Sequence, residues 1–257
     1  MDTNKTPKVI IVGLASCFGC QLQITNDEAH LLDVLGQIDL TYWQLASSEP
    51  LQEQDFDIAV IEGAVTTAAA RDLIIELRKR ARKLIAIGAC AVTGGIPSLA
   101  NNNQSECTKR VYGKELPSAC GDLIDAAPVS DFVEVDYLVR CCPIDTAKFI
   151  EVLQGAIYGS NRKQETTTMC AQCKINETQC LYEQGKLCMG LITNESCGAR
   201  CVKLGRACNG CAGISADANL VSAIVFAQEH GYTRDEFMAR ARIFNKNIDA
   251  LDEAKGE

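Results

Sequence analysis

Between Lys8 and Tyr158, short apolar runs alternate with longer stretches of helical periodicity. The apolar runs predict β-strands at Lys8–Ala15, Leu40–Leu45, Phe56–Ile61, Leu84–Ile87 and Phe132–Val139. The amphipathic stretches predict helices at Gln21–Leu35, Thr67–Arg82 and Asp145–Tyr158. Strand and helix in alternation predict an α/β fold with a doubly wound parallel sheet of flavodoxin-like type.

The pattern changes after Tyr158. The stretch 160–168 (SNRKQETTT) is polar and predicts a linker. Residues 169–213 then contain eight cysteines and little apolar periodicity, so we expect no conventional apolar core there and a fold organised by metal. Helical periodicity returns from Ala216. We predict a flavodoxin-like domain at 1–159, a small Cys-rich iron–sulfur domain at 160–215 and C-terminal helices at 216–257.

Composition narrows the possible partners. The chain has 257 residues, of which 47% are hydrophobic and 23% charged, as in ordinary globular proteins. Its formal net charge of −8 argues against a nucleic-acid partner, which favours a basic surface. The apolar run Val9–Leu14 is too short to cross a membrane and has no signal-peptide layout. We therefore expect a cytoplasmic protein without a membrane span.

The 15 cysteines require an explanation of their own. Disulfides are not expected in a reducing compartment. Only two histidines are present, which leaves little scope for mixed Cys/His zinc sites. Sites made of thiolates alone remain, and these bind either zinc or iron–sulfur clusters.

Cysteines follow three of the predicted strands. The first strand leads into Cys17-x-x-Cys20, the fourth leads to Cys90, and the fifth ends at Cys141 and Cys142. Because the carboxyl ends of parallel strands share one edge of the sheet, these thiols are expected to converge. Four thiols from separate segments suit a [4Fe-4S] cluster.

We assign the last position of this cluster to Cys142, because the turn at Pro143 is expected to direct it outward. Cys141, at the end of a buried strand, is expected to be an inert, small apolar side chain. We call Cys17, Cys20, Cys90 and Cys142 the edge quartet. Cys107 and Cys120 lack metal-ligand spacing and are expected to be free thiols.

Two other uses of this sheet edge are less consistent with the sequence. Gly13 and Gly19 do not complete the G-x-G-x-x-G pattern of a dinucleotide site. A thioredoxin-like redox pair would use the C-x-x-C motif but would leave Cys90 and Cys142 unexplained.

The eight downstream cysteines divide in chain order into two sets of four. Motifs of the C-x-x-C type, which place two sulfurs at one metal centre, lie at both ends of the region. The upstream quartet is Cys170, Cys173, Cys180 and Cys188, and the downstream quartet is Cys197, Cys201, Cys208 and Cys211. Zinc remains an alternative, since spacing alone does not separate the metals.

Several motifs together resemble one protein family. LASCFGCQL, VIEGAV, GACAVTGGIPS and the pair Cys142-Pro143 are similar to the small, electron-transferring subunit of [NiFe] hydrogenases. The resemblance implies that the edge quartet binds the proximal [4Fe-4S] cluster, nearest the nickel–iron site. That family usually has glycine where this chain has Cys141.

The motifs of the Cys-rich stretch 169–213 resemble one group within this family. CAQCKINETQC, LCMGLITNESCGARC and ACNGCAG resemble the cytoplasmic, multi-subunit hydrogenases, whereas exported relatives have histidine at the position of Cys170. The resemblance implies three [4Fe-4S] clusters, with the upstream quartet at the distal cluster and the downstream quartet at the medial one. Within that group, these Cys-rich motifs most resemble the delta subunits of NAD(P)-linked hydrogenases, which are also called sulfhydrogenases. F420-linked and heterodisulfide-reductase-linked hydrogenases are alternatives.

The resemblance also implies partners. A separate large subunit would carry nickel and iron and cleave H2, and a flavin- and cluster-bearing diaphorase would deliver electrons to NAD(P). In the family a glutamate at the position of Glu62 lies near the proximal cluster, where it could transfer protons or tune the cluster potential. Capping of the next helix, or acceptance of nearby amides, is the alternative for Glu62. The rival for the whole chain is a zinc-organised interaction protein.

Overall fold

The computed structural model describes residues 6–114, 121–160, 167–246 and 248. The chain divides into two compact units. The first comprises Met1–Val139 and Pro143–Arg162, and the second comprises Arg140–Cys142 and Lys163–Glu257. Each unit has buried apolar clusters of its own.

The first unit contains a parallel sheet. The strands of the first unit are β1 (Lys8–Gly13), β2 (Asp39–Trp43), β3 (Phe56–Glu62), β4 (Val65–Thr67), β5 (Ala81–Ile87), β6 (Leu123–Ala127) and β7 (Tyr137–Val139). Strands β4 and β6 pair with each other outside the parallel sheet. The sheet has the order β2-β1-β3-β5-β7, and all its pairings are parallel. When only the five strands of this sheet are numbered in chain order, their order across the sheet is 2-1-3-4-5, as in flavodoxin-like folds. The predicted fold class is therefore confirmed.

Helices cover both faces of this sheet. The α-helices of the first unit are α1 (Gly19–Thr25), α2 (Glu28–Leu35), α3 (Ala68–Arg80), α4 (Gly88–Thr93), α5 (Gln104–Tyr112) and α6 (Thr146–Tyr158), of which α5 buries no side chain. Successive side chains of a strand point to opposite faces. Val60 of β3 accordingly lies in the apolar layer that contains Phe149 of α6, and Ile61 lies in the layer that contains Leu77 of α3.

Two predicted elements differ from the structure. The single helix expected over Gln21–Leu35 is divided into α1 and α2 at Asn26 and Asp27, residue types that favour helix ends over helix interiors. The strand expected over Phe132–Val139 is shortened to β7, and a 3-10 helix lies before it at Val129–Asp131.

The second unit contains α7 (Met169–Ile175), α8 (Arg200–Lys203), α9 (Leu220–Glu229) and α10 (Arg234–Arg242). Met189 and Ile192 of the Cys-rich segment are buried in one cluster with Leu220 of α9 and Phe237 of α10. The expectation that this segment has no apolar core is therefore wrong, because its scattered apolar side chains pack with those of the C-terminal helices. No helix in the described part of the chain is both long and apolar enough to cross a membrane.

Candidate cluster-binding sites

The carboxyl edge of the sheet carries three members of the edge quartet. Strand β3 lies between β1 and β5, so the segments that leave these strands are neighbours. Cys17 is exposed in the turn after β1, Cys20 is buried in α1, and Cys90 lies in α4 directly after β5. Cys142, the fourth member, is exposed and belongs to the second unit.

Glu62 ends β3, between the strands that lead to these cysteines. Its side chain is buried, and Oε1 accepts a hydrogen bond from the backbone N–H of Cys20 at 3.1 Å. The other oxygen, Oε2, is buried without a hydrogen-bond partner among the described residues. A buried carboxylate oxygen without a partner is costly and marks a candidate functional group. Glu62 therefore accepts a hydrogen bond from a nearby backbone amide, which is one of the roles that the sequence predicts for it.

Two glycines allow the backbone to pack closely at this edge. At Gly63 φ is +102°, and an added Cβ would lie 2.7 Å from the carbonyl carbon of Leu14. At Gly95 φ is +48°, and an added Cβ would lie 2.9 Å from Cα of Cys90. Only glycine adopts such conformations at low cost, so both positions fix the segments that carry the thiols.

The structure brings the upstream quartet together. Burial raises the pKa of Cys170 to about 12, and the negative charges of Cys188, Cys173 and Cys180 contribute to this rise. The pKa of Cys188 is also raised by burial, against hydrogen bonds that its sulfur accepts from the backbone amides of Gly190 and Cys208. Four thiols close enough to repel one another as thiolates are suited to a metal centre, whose positive charge removes that repulsion.

The downstream quartet lines a single cavity of about 60 Å³. Burial raises the pKa of Cys201, and the charges of Cys211 and Cys197 add to this effect. The pKa of Cys208 is raised well above the ordinary range by burial and by the charge of Cys188. Cys141 and Cys142 line the cavity as well, so six cysteines surround it, and the four sulfurs of the downstream quartet are a donor set that fits an iron–sulfur cluster.

Cys141 lines the same cavity and is buried, as expected for a small side chain at the end of a buried strand, and its inertness stays a prediction. Hydrogen bonds to Cys197 and Cys211, followed by burial, raise its pKa far above that of an ordinary thiol. Hydrogen bonding to Cys141 is the largest of the causes that lower the pKa of Cys197 to about 6. It is also the largest cause that lowers the pKa of Cys211.

Backbone amides connect residues of different quartets. The amide of Cys208 donates a hydrogen bond to Sγ of Cys188 at 3.3 Å. The backbone of Cys142 also makes a hydrogen bond that lowers the pKa of Cys211. An amide that donates to a ligand sulfur stabilises its thiolate form and influences the potential of any cluster bound there.

Cys107 and Cys120 are, besides Cys141, the two cysteines outside the three quartets. Cys107 is exposed on α5, and Cys120 lies outside the described residues. None of the fourteen described cysteines forms a disulfide. Within the described ranges, no three or more His, Cys, Asp or Glu side chains are placed to hold a single metal ion. A cubane cluster has a different requirement, because each of its four irons takes one cysteine sulfur.

Comparison with known proteins adds family information. Residues 17–156 match the family of the NADH ubiquinone oxidoreductase 20 kDa subunit. The chain is 31% identical over 214 residues to the delta subunit of sulfhydrogenase 2 of Pyrococcus furiosus, covering 83% of this chain and 89% of the relative. It is 27% identical over 234 residues to a subunit of the vhu F420-non-reducing hydrogenase of Methanocaldococcus jannaschii, covering 80% of this chain and 81% of the relative.

A solved structure supports the fold. A chain of an NAD⁺-reducing [NiFe]-hydrogenase in the H2-reduced state superposes with a TM-score of 0.55 at 24% sequence identity. The superposition covers 63% of this chain and 96% of that chain. It shows a shared architecture.

Proposed function

This chain belongs to the family of the NADH ubiquinone oxidoreductase 20 kDa subunit, its homologues are subunits of hydrogenases, and on that basis we propose that it transfers electrons within a cytoplasmic [NiFe] hydrogenase. Three [4Fe-4S] clusters would be held by the edge quartet, the downstream quartet and the upstream quartet, in that order from the nickel–iron site. The large subunit that carries this site would be its direct partner.

The observation that carries the proposal is the pairing of two complete thiol sets in the second unit. The charges of Cys173, Cys180 and Cys188 contribute to the raised pKa of Cys170, and the downstream quartet lines one cavity. The hydrogen bond from Cys208 to Cys188 joins the two sets directly. Two neighbouring four-sulfur sites are what an electron relay requires, because closely spaced centres pass electrons faster than distant ones.

The clusters, when bound, would supply the one-electron redox chemistry. The residues of this chain would hold the clusters, shield them from water and set their potentials through burial, charge and hydrogen bonds. Burial of Cys188 and Cys208 supports the shielding role. All-thiolate sites require reduced cysteines, which supports the cytoplasmic location.

Glu62 would act at the edge quartet. Its Oε1 fixes the amide of Cys20 and so positions the α1 thiol, while its Oε2 is available to hold a proton or to place negative charge near the proximal cluster. These two uses of the oxygens are compatible, since they involve different atoms.

We propose a flavin- and cluster-bearing diaphorase that reduces NAD(P) as the partner at the distal end. The similarity to subunit delta of the NAD-reducing hydrogenase HoxS of Cupriavidus necator, 26% identical over 166 residues, supports this class. F420 is the second candidate acceptor, since the chain is also 28% identical over 217 residues to the gamma subunit of a coenzyme F420 hydrogenase of Methanococcus voltae. Assays of the purified complex under H2, with NAD⁺, NADP⁺ and F420 offered separately, distinguish the acceptors.

Metal analysis tests the central proposal. Iron, acid-labile sulfide and zinc are measured on anaerobically purified protein, and EPR spectra are recorded after reduction. About twelve irons per chain and cubane signals are expected from three [4Fe-4S] clusters. Zinc at a few equivalents without iron would support an interaction protein and contradict the hydrogenase function.

A further inference from the structure

We propose that Asn245 holds the turn between Cys208 and Cys211 so that the amide of Gly210 stays directed at Sγ of Cys208, and that it thereby raises the reduction potential of the cluster held by the downstream quartet. The inference rests on the proposed function, because it requires that cluster. Asn245 acts here as a positioning residue, through the backbone of Gly210, and does not bind iron.

The turn between Cys208 and Cys211 directs a backbone amide at a ligand sulfur. The N–H of Gly210 donates a hydrogen bond to Sγ of Cys208 at 3.5 Å, in buried surroundings. Gly210 has a φ of +84°, a conformation that glycine adopts at low cost. Glycine is also the residue with the greatest backbone freedom, so contacts with its surroundings have to maintain the direction of this amide.

Asn245 provides such a contact. It lies in the segment after α10 and is 4% exposed. Its Nδ2 donates hydrogen bonds to the carbonyl of Ala241, in the last turn of α10, at 2.8 Å and to the carbonyl of Gly210 at 3.4 Å. The carbonyl of Gly210 also accepts the amide of Gly213 at 3.2 Å, which is a bond within the loop itself. Asn245 is therefore the partner that connects the turn to a helix.

The surroundings of Gly210 are closely packed. An added Cβ would lie 3.3 Å from Nδ2 of Asn245 and 3.5 Å from both Cβ of Met189 and Oγ1 of Thr193. Met189 and Thr193 are fully buried. The backbone of Gly210 thus packs directly against the amide of Asn245, which limits how far the peptide can rotate.

The neighbours of the Asn245 amide determine its orientation. Two carbonyl oxygens face one end of this amide, so that end carries the NH2 group. The other end, Oδ1, is buried without a hydrogen-bond partner among the described residues. A buried unpaired oxygen is costly, and an apolar side chain would avoid that cost. The hydrogen bonds that Nδ2 donates are therefore the reason for asparagine at this position.

The effect on the cluster has a definite sign. Reduction adds negative charge, part of which resides on the ligand sulfurs. An amide directed at Sγ of Cys208 stabilises the reduced form more than the oxidised form, so it raises the potential. Without Asn245 the peptide of Gly210 is freer to rotate, its amide points at the sulfur for less of the time, and the potential falls.

The test compares variants of the full chain in its complex. Asn245→Leu keeps a side chain of similar size and shape but has no hydrogen-bond donor. Asn219→Ala is the matched control, because it also removes a hydrogen-bonding asparagine of the second unit. That side chain is exposed and caps α9 by accepting the amide of Ser222 at 3.0 Å. Redox titration followed by EPR measures the potential of the medial cluster, and iron and sulfide are determined on the same samples.

For Asn245→Leu we expect a lower medial-cluster potential with unchanged iron and sulfide. The ratio of reduced to oxidised cluster at the wild-type midpoint should fall about two- to ten-fold, the effect of one ordinary hydrogen bond. Asn219→Ala should keep the wild-type potential. An unchanged potential in Asn245→Leu would overturn the inference. Equal shifts in Asn245→Leu and Asn219→Ala would also overturn it, because a general loss of stability would then explain both.

A variant that does not fold leaves two further measurements. If Asn245→Leu does not fold, Asn245→Ala, which also lacks the donor, is titrated in its place. If neither folds, exchange of the Gly210 amide with D2O is followed by mass spectrometry on the wild-type complex. Protection of this amide is expected from its bond to Cys208, and exchange as fast as in the unfolded chain would overturn the inference.

Failure of the proposed function gives a different result. Wild-type protein without iron, or with zinc in its place, would refute the cluster proposal before any variant is compared. Wild-type protein with about twelve irons and an unshifted Asn245→Leu potential would refute only the role of Asn245.

Discussion

The backbone amide of Cys208 donates a hydrogen bond to Sγ of Cys188 at 3.3 Å, although the two residues are 20 positions apart. Both side chains are buried. Cys188 belongs to the upstream quartet and Cys208 to the downstream quartet, so this contact joins the ligand sets of the proposed distal and medial clusters. A short connection of this kind provides a direct route for electrons between the two sites.

Clusters connected in this way should interact magnetically when both are reduced. We expect broadened EPR signals from the intact chain. Cys173→Ser and Cys201→Ser should each remove about four irons and leave a narrower signal from the other cluster. These two residues are partly exposed, so their replacement disturbs the apolar core less than replacement of Cys188 or Cys208.

Cys107→Ser is the control for these variants, because its exposed position on α5 predicts unchanged iron and spectra. Loss of about eight irons from either Cys173→Ser or Cys201→Ser would contradict the division into two quartets.

Two substitutions of Glu62 should separate the roles of its two side-chain oxygens. Glu62→Gln keeps an acceptor for the amide of Cys20 but removes the negative charge, so the proximal-cluster potential should rise while iron content stays constant. Glu62→Ala leaves the buried Cys20 amide without its acceptor and should destabilise the chain by about 1–3 kcal/mol relative to Glu62→Gln. Redox titration and anaerobic urea unfolding measure the two effects, and equal unfolding midpoints would refute the anchoring role.

The conformation of Gly63 should be indispensable at the sheet edge. Gly63→Ala places a Cβ 2.7 Å from the carbonyl carbon of Leu14 at a φ of +102°. We expect a loss of more than about 3 kcal/mol of stability and failure to retain the proximal cluster. Gly113→Ala, at a φ of +69° with nothing within 4 Å of the added Cβ, is the control and should cost only about 1–2 kcal/mol. Similar unfolding midpoints for both variants would show that the close contact at Gly63 is unimportant.

Much of the sheet follows from the sequence, because parallel strands buried on both faces produce apolar runs such as Phe56–Ile61. The antiparallel pairing of β4 with β6 does not follow from the sequence, since β6 lies in the stretch 93–128, whose Gly, Asn and Pro residues predict a long loop. Spacing and strand ends predict the three cysteine quartets, and their division among clusters stays a prediction. The place of Cys141 in the cavity of the downstream quartet does not follow from spacing, because it depends on a tertiary approach that local pattern does not encode.

Asp136 should stabilise the start of β7 over a wide pH range. Its carboxylate accepts hydrogen bonds from Lys83 Nζ at 2.7 Å, Arg78 at 2.9 Å and the amide of Leu84 at 2.9 Å. Burial alone would raise the pKa of Asp136, but the hydrogen bonds from Lys83 and Leu84 and the charge of Arg78 hold it below its ordinary value. The stabilisation is therefore present above the pKa of an unfolded aspartate and is lost only as pH falls through the lower folded value.

Asp136→Asn should accordingly destabilise the chain by about 1–3 kcal/mol at pH 7, because two cations lose their carboxylate. The difference from wild type should stay constant from about pH 8 to pH 5, since the carboxylate remains ionised throughout. Anaerobic urea unfolding at several pH values checks this. A difference that shrinks between pH 7 and pH 5 would mean that the pKa of Asp136 is not depressed.

The order of the proposed relay can be tested at its outer end. Cys170 begins the upstream quartet, and Cys170→Ser should alter or remove the distal cluster. In the assembled complex, NAD(P) reduction by H2 should then slow, because electrons reach the diaphorase through that cluster. H/D exchange should persist, because it takes place at the nickel–iron site of the large subunit and does not require onward transfer. Normal NAD(P) reduction by H2 in a variant that has lost this cluster would contradict the proposed order of the relay.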